Sequence, residues 1–527
     1  MGLACSRSIA LVGLEATIVD IEVWLGPGLP RTVLVGLPDT ALNEARDRCR
    51  AAVSSAGLAW PAQVVTINLT PATLPKAGSH YDLGITAAVL AASGVVPKKR
   101  LADVILLGEL GLDAKVRPVR GVLPALLAAR RRGIGRAVVP AAQRAEAGLV
   151  EGIEVVGVAT LGDLLAWLRG QPVTLPPLEE AAVAEPALPV DLADVLGLGE
   201  AKWALEVAAA GRHHVYFHGP PGVGKTLLAR RLPTILPDLT VPEALEVAAV
   251  HSLTGQRVDG LVRRPPLADP HHTTSLAAMA GGGSRVARPG AVSLAHRGVL
   301  FLDEAPEFPA KVLETLRTPL ESGEIVLGRS EAQVRYPACF QLVLAANPCP
   351  CGLAATPGAD CACSPMMIRR YAARLSGPIL DRIDVRQQFL PQRHAFLQLV
   401  QPGESSAQVL ARVTAARERQ AWRLRETPWR TNAEVAGSYL RTELSASDQS
   451  NVLTEAVRSG RLSARGVDKT LRLALTIADL AAAAQPTADH LRLALALRQG
   501  EAHLVGSGRP KPPSSANQSN TRRRHAT

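Results

Sequence analysis

A multidomain protein of mixed α/β and α+β class is predicted by three observations. Strand and helix patterns alternate in two separate stretches. A Pro-, Ala- and Glu-bearing break without periodicity divides them at residues 171–190, and no strand pattern survives beyond about residue 393. The length of 527 residues points the same way, because one hydrophobic core seldom organises so long a chain.

In chain order, runs of β-branched and aliphatic residues predict strands at Ile18 to Leu25, Thr32 to Gly36 and Val64 to Leu69. Helices are predicted at Ala41 to Ala56 and Leu83 to Ala92. Together these form an N-terminal domain over 1–172, followed by linker chemistry over 173–190. The second alternation starts at strand Val215 to His218. It continues through helix Lys225 to Leu232, strand Val299 to Leu302, helix Ala310 to Glu321 and strand Gln341 to Ala345. Strands separated by helices imply a parallel sheet covered on both faces, here in a core over 191–392. Amphipathic helices follow over 393–505. The polar stretch 506–527, ending in Arg522-Arg523-Arg524, has the composition of a disordered tail.

Hydrophobic residues make up 47% of the chain, yet no run approaches the roughly 18 uninterrupted apolar residues that span a bilayer. The first fourteen residues lack a secretory pattern, so a cytoplasmic protein without membrane contact is expected. The net charge is +11, and Arg393 to Thr527 alone carries 20 Lys and Arg against 11 Asp and Glu. Such a surface attracts polyanions, most commonly nucleic-acid backbones, although a solvated Arg-rich surface has the same composition.

The chemistry concentrates in a few short segments. Gly219-Pro220-Pro221-Gly222-Val223-Gly224-Lys225-Thr226 follows an apolar strand and opens a helix. Glycines let the backbone wrap around phosphates with N–H groups inward, a lysine meets the β- and γ-phosphates, and a hydroxyl meets Mg²⁺. ATP and Mg²⁺ are therefore expected here. The strand Val299 to Leu302 runs into Asp303 and Glu304, one carboxylate for the metal's water shell and one to polarise the attacking water. Asn347 ends the next apolar strand, where it can orient that water or sense the γ-phosphate. Arg382 lies between Asp381 and Ile383. A cation there can be an ion-pair partner, or can neutralise transition-state charge in a neighbouring subunit of a ring.

Of the seven cysteines, Cys349, Cys351, Cys361 and Cys363 crowd into fifteen residues, in a loop over 347–364. Four thiolates suffice for one tetrahedral ion, zinc by preference, with unliganded thiols or a redox pair as the alternative.

These segments resemble the AAA+ ATPases related to the magnesium-chelatase motor subunit, and most of all the ComM/YifB family. The resemblance runs from Val35-Gly-Leu-Pro-Asp-Thr40 and Asn68-Leu-Thr-Pro-Ala72 through Pro270-His-His-Thr-Thr-Ser275. It continues in Ser293 to Glu304, Asn347-Pro-Cys-Pro-Cys-Gly352 and Ser376 to Asp384. It implies an AAA+ core with a helical lid and a homo-hexameric ring that binds single-stranded or branched DNA and drives branch migration. By the same resemblance Asn347 is sensor 1, Arg382 the trans-acting finger and Arg465 sensor 2. Arg329 and Arg335, in a hairpin over 324–336, would then touch DNA phosphates. His271 and His272 match a family motif whose role the residues do not reveal. The chain departs from the family at Leu198 and at Ala291, neither a nucleotide ligand.

The N-terminal domain resembles the Lon-type protease domain, of ribosomal S5-type fold, around Leu74-Pro-Lys-Ala-Gly78 and Pro118-Val-Arg-Gly121. Asp82 stands near the position of the serine nucleophile and Ala125 near that of the lysine, so the chemistry of proteolysis is missing. A binding or assembly role is expected instead. A chelatase-type motor that remodels a protein partner for metal insertion is the alternative to a DNA motor, and an ATP-dependent protease a second, disfavoured one.

Overall fold

Two long strands, β1 (Gly2–Val12) and β2 (Glu15–Gly26), open the chain as an antiparallel ribbon in which Gly2 faces Leu25 and Val12 faces Glu15. In this computed structural model the residues described are all but 1, 37–39, 75, 77, 174–189, 257, 259, 284–286, 329–332, 355–357, 359, 391–402, 444–448 and 502–527. The linker and the tail named above thus lie almost wholly outside the described residues.

Around the ribbon stand β3 (Arg31–Val35), β4 (Val64–Thr70) and β5 (Val104–Leu106). A short pair follows, β6 (Glu109–Leu110) and β7 (Val116–Arg117), and then β8 (Arg136–Pro140) and β9 (Glu154–Val158). The sheet runs β3-β4-β2-β1-β5-β8-β9. Its β2 pairs antiparallel with β1 and β4, and the other neighbours are parallel. The predicted strands and the helices Thr40–Ser55 and Asp82–Ala92 are present, with ends shifted by one residue or none, except that β2 begins at Glu15, three residues before the expected Ile18. The β1 strand was hidden in sequence because Ser6 and Ser8 occupy fully buried positions, and a polar residue there breaks the apolar alternation. Ser6 is satisfied by donating to the Gly84 carbonyl at 2.7 Å.

The second sheet contains β10 (Val215–His218) and β11 (Leu267–Ala268). Past a short pair, β12 (Gly281–Gly282) and β13 (Arg288–Pro289), comes β14 (Val299–Leu302). A hairpin follows, β15 (Glu324–Gly328) and β16 (Gln333–Pro337), and the sheet is completed by β17 (Gln341–Ala346) and β18 (Val385–Gln388). The order β11-β14-β17-β10-β18 is parallel throughout. Every residue of β14 and β17 is buried, as strands covered on both faces require.

Two predicted helices differ. Ala310 to Glu321 is divided into Ala310–Glu314 and Pro319–Ser322, because Pro319 has no N–H to continue the first helix and instead starts a new one. Lys225 to Leu232 stops at Ala229 and passes into a 3-10 turn, Leu232–Ile235, with Pro233 near its start.

The C-terminal helices Ser406–Arg423, Ala464–Leu480 and Ala488–Gln499 share one apolar core with helix Gly199–Gly211 and the inner side of the parallel sheet. The N-terminal domain docks on helix Val241–Thr254: Ala248 and Ala249 pack with Val122 and Leu123, and the Gly121 N–H donates to the Ser252 carbonyl at 3.2 Å. Buried Glu146 completes the junction by accepting from the Leu123 N–H at 3.3 Å, the Gln143 amide at 3.1 Å and the Ser252 hydroxyl. Among the described residues no helix is long and apolar enough to cross a membrane.

Candidate nucleotide site

The loop after β10 is shaped by its glycines. A Cβ on Gly219 would fall 2.6 Å from the Phe389 carbonyl oxygen, while Gly222 and Gly224 hold φ of +77° and +92°, the left-handed region that side chains resist. Gly224 caps helix Lys225–Ala229, so Lys225 leaves the loop from the first helical position. Its ammonium is buried, at 8% exposure, and donates to the carbonyls of Gly219 at 2.6 Å and Pro220 at 2.7 Å and to Asn347 Oδ1 at 3.0 Å. Burial lowers its pKa, and the charges of Asp303 and Glu304 oppose that shift. All three hydrogen-bond acceptors are neutral, so among the described residues no carboxylate is bonded to the cation. The ammonium is thereby available to an anion.

Thr226 donates to Asp303 Oδ2 at 2.6 Å, which sets a hydroxyl and a carboxylate side by side where β14 ends. Those two hard oxygen donors fit Mg²⁺, which neutralises phosphate charge when bound with ATP. The other Asp303 oxygen accepts the Glu304 N–H at 2.9 Å. Glu304 adopts a left-handed backbone, φ 50° and ψ 43°, that turns it out of the strand line. Its carboxylate lies 3.5 Å from His272 Nδ1, and the His272 ring stacks on His271 at 4.0 Å between centroids. Two residues before His271, Asp269 takes Arg230 at 2.8 Å just beyond the phosphate-loop helix. Sequence reasoning left these histidines without a role.

Arg382 and Arg465 stand apart from this cluster. Arg382 pairs with Glu321 and donates to the Pro378 carbonyl at 2.7 Å; Arg465, 74% exposed, reaches Asp381 at 3.7 Å. Among the described residues neither bonds to the phosphate loop. The segment Asp381 to Asp384 is instead held by the helical region, with Lys469 on Asp384 at 2.6 Å and on the Arg382 carbonyl at 2.8 Å. Arg335 is exposed on the hairpin and meets Glu324 at 3.4 Å, whereas Arg329 lies outside the described residues. Tyr336 and Val334 turn the other face of that hairpin inward, with the Tyr336 hydroxyl on the Ala287 carbonyl.

Leu198, the family departure beside the site, has φ 53° and lies 3.1 Å from where a Cβ on Gly224 would stand, so it packs an apolar side chain on the loop. Ala291 begins helix Ala291–Leu294 and packs against the core that holds Ala287, Val334 and Tyr336.

The cysteines do converge. The sulfurs of Cys349, Cys351, Cys361 and Cys363 all lie within 4.8 Å of one another, with separations of 3.3, 3.5 and 3.8 Å among the first three. A tetrahedral zinc with Zn–S near 2.3 Å separates its sulfurs by about 3.8 Å, so the donor set fits such an ion.

In the N-terminal domain, Asp82 is fully buried and fully occupied. Arg48 donates to both its oxygens, at 2.9 and 3.0 Å, and the Leu110 N–H donates at 3.1 Å. Burial pushes its pKa up to about 6 against the pull of Arg48. Ala125 is buried in helix Val122–Arg131.

Comparison with known proteins covers nearly the whole chain. The family described as "Magnesium chelatase, subunit ChlI" matches residues 191–395, "Subunit ChlI of Mg-chelatase" matches 21–143, and "Magnesium chelatase, subunit ChlI C-terminal" matches 403–498. An uncharacterized protein of Mycobacterium tuberculosis is 52% identical over 502 residues, 95% of this chain and 99% of its own. The uncharacterized protein YifB of Escherichia coli is 41% identical over 508 residues (96% and 99%). Competence protein ComM of Haemophilus influenzae is 41% identical over 509 residues (94% and 98%). The likeness to Lon is partial: the Lon protease of Lachnoclostridium phytofermentans is 28% identical over 177 residues, 31% of this chain and 21% of the protease.

Proposed function

The chain belongs to the ComM/YifB family of magnesium-chelatase-related AAA+ proteins, and on that premise we propose that it is an ATP-hydrolysing ring motor acting on DNA, through branch migration in recombination or in the integration of transforming strands. The observation that carries the reading is the meeting of Lys225, Thr226, Asp303 and Asn347 within hydrogen-bond distance, from three parallel strands. In this reading Thr226 and Asp303 hold Mg²⁺ and Glu304 polarises the water. Asn347 reports on the γ-phosphate, and Arg382 completes the site of the next subunit in a homo-hexamer. Arg465 serves as the second sensor. The division of labour is a non-proteolytic Lon-like domain over 1–172, an ATPase core over 191–392 and a helical lid over 393–505. The four thiolates hold a structural Zn²⁺, and the protein works in the cytoplasm.

The binding of DNA is favoured by the excess of Lys and Arg after residue 393 and by Arg335 on the hairpin. ATP turnover measured alone, with single-stranded DNA and with a four-way junction tests the reading. A stimulation by DNA that fades with added salt is expected. Turnover indifferent to DNA, together with no salt-sensitive binding, would turn the reading toward a motor that remodels a protein partner.

A further inference from the structure

The cysteine loop touches the phosphate loop on both sides of its first thiol. Upstream, Asn347 accepts from Lys225 at 3.0 Å. Downstream, Gly352 lies so close to the phosphate loop that a Cβ there would fall 2.7 Å from Pro221 Cδ and 2.9 Å from Pro221 Cγ. The two contacts belong to one turn, in which the Gly352 N–H donates to the Cys349 carbonyl at 3.0 Å and the Ala354 N–H to Cys349 Sγ at 3.4 Å. The second pair of thiols, Cys361 and Cys363, lies just before helix Pro365–Ala373, whose Tyr371 hydroxyl, its pKa pushed up to about 12 mainly by burial, is close enough to the Asn347 backbone to be pulled the other way by it. Two arms of chain therefore meet at the sulfurs, and both return to Asn347.

We propose that this knot is a metal-dependent clamp on the phosphate loop: a bound Zn²⁺ ties the two arms together, and its occupancy sets the affinity of the site for ATP. The physical basis is geometry. Four sulfurs from the two arms lie within 4.8 Å of one another, and one tetrahedral ion bonded to all four ties the arms together; once it is removed those bonds between the arms are gone and the arms part. Parting moves Gly352 from Pro221 and Asn347 from Lys225, so the loop loses two of the contacts that hold its shape before phosphate arrives. Pre-shaping of a binding loop raises affinity by lowering the ordering cost of binding. The proposal rests on the reading of Gly219 to Thr226 as an ATP site.

The test uses the full chain. Zinc is measured by its release on thiol modification, and nucleotide affinity by titration with a fluorescent ATP analogue. Wild-type protein is expected to release about one zinc per chain. The double variant Cys351→Ser, Cys361→Ser is expected to lose the zinc and to bind the nucleotide about tenfold more weakly. Gly352→Ala keeps all four thiols, so it is expected to retain zinc and still weaken nucleotide binding, because its methyl group displaces Pro221. Circular dichroism of both variants checks that the fold is kept, and removal and return of zinc on the wild-type chain repeats the test without any substitution. Equal nucleotide affinity with and without zinc, or a wild-type chain that takes up no zinc, overturns the clamp alone. A zinc-loaded chain that binds no nucleotide overturns the ATP-site reading and the clamp with it.

Discussion

Lys225 and Asp82 are both buried, charged and set in the first turn of a helix, but their partners differ in kind. Lys225 leans on two backbone carbonyls and an amide oxygen, all neutral, with Asp303 and Glu304 near enough to oppose its pKa shift but not hydrogen-bonded to it. Asp82 is matched by a bidentate guanidinium and a backbone N–H. Neutral partners leave a cation with charge still to be met, and an anion can take their place at small cost. A carboxylate already matched by Arg48 offers nothing to a ligand, and breaking that pair leaves a buried charge exposed to a low dielectric. The first arrangement is that of a site; the second is that of a structural bolt.

The comparison can be broken by measurement. Lys225→Ala is expected to lower kcat/KM for ATP by at least about 10³-fold, because a buried charge aimed at the phosphates is lost, while the melting temperature hardly moves. A large fall in melting temperature would make Lys225 a bolt as well. Glu304→Gln is expected to reduce kcat by about 10²- to 10³-fold with nucleotide binding kept, which equilibrium titration beside single-turnover rates would show. Asp82→Asn should behave in the opposite way. It takes from Arg48 its buried partner, with exposed Glu44 at 3.7 Å left to it, costs about 3 kcal/mol in urea unfolding, and leaves ATP turnover per folded chain nearly unchanged. Lost turnover at full stability would give the N-terminal domain a chemical role.

Smaller effects sharpen the contrast. His272→Ala should change kcat only a few-fold, since a half-buried histidine 3.5 Å from an exposed carboxylate makes a weak pair with it. The smallest effect concerns acid. His213 is buried and His214 half-buried, and their pKa values fall to about 3 and about 4, desolvation being the main cause. The unfolded chain, with pKa near 6.5, binds protons first. Stability is then full above that value and is lost as pH drops from about 6.5 toward 4. Denaturant melts at pH 7, 6 and 5 would check this, and a midpoint that rises on acidification would contradict it.

How much was legible in the sequence follows from how local each signal is. The strands β10 and β14 were bounded to the residue, since short apolar runs are closed by Gly219 and by Asp303. The break at Pro319 does not show in the periodicity, because the helical spacing of apolar residues runs on across the residue that lacks an N–H donor. The β1 strand was missed because buried serines imitate a surface pattern. His272 was singled out without a role, since nothing in its own neighbourhood in the chain points at Glu304.

The sequence by itself determined the parts of the site that lie within one stretch. Gly222 and Gly224 answer a backbone demand, Lys225 and Thr226 follow at the start of a helix, and Asp303 with Glu304 closes an apolar strand. Each depends on steric and hydrogen-bonding rules that act over a few residues. Only the tertiary structure decided which of them meet. Thr226 and Asp303 are 77 residues apart, and Lys225 and Asn347 are 122 apart. They are neighbours because β10, β17 and β14 lie side by side in parallel register. The contact of Gly352 with Pro221 and the neutral company kept by Lys225 arise in the same way. Such contacts come from the packing of whole layers, and no local pattern records them.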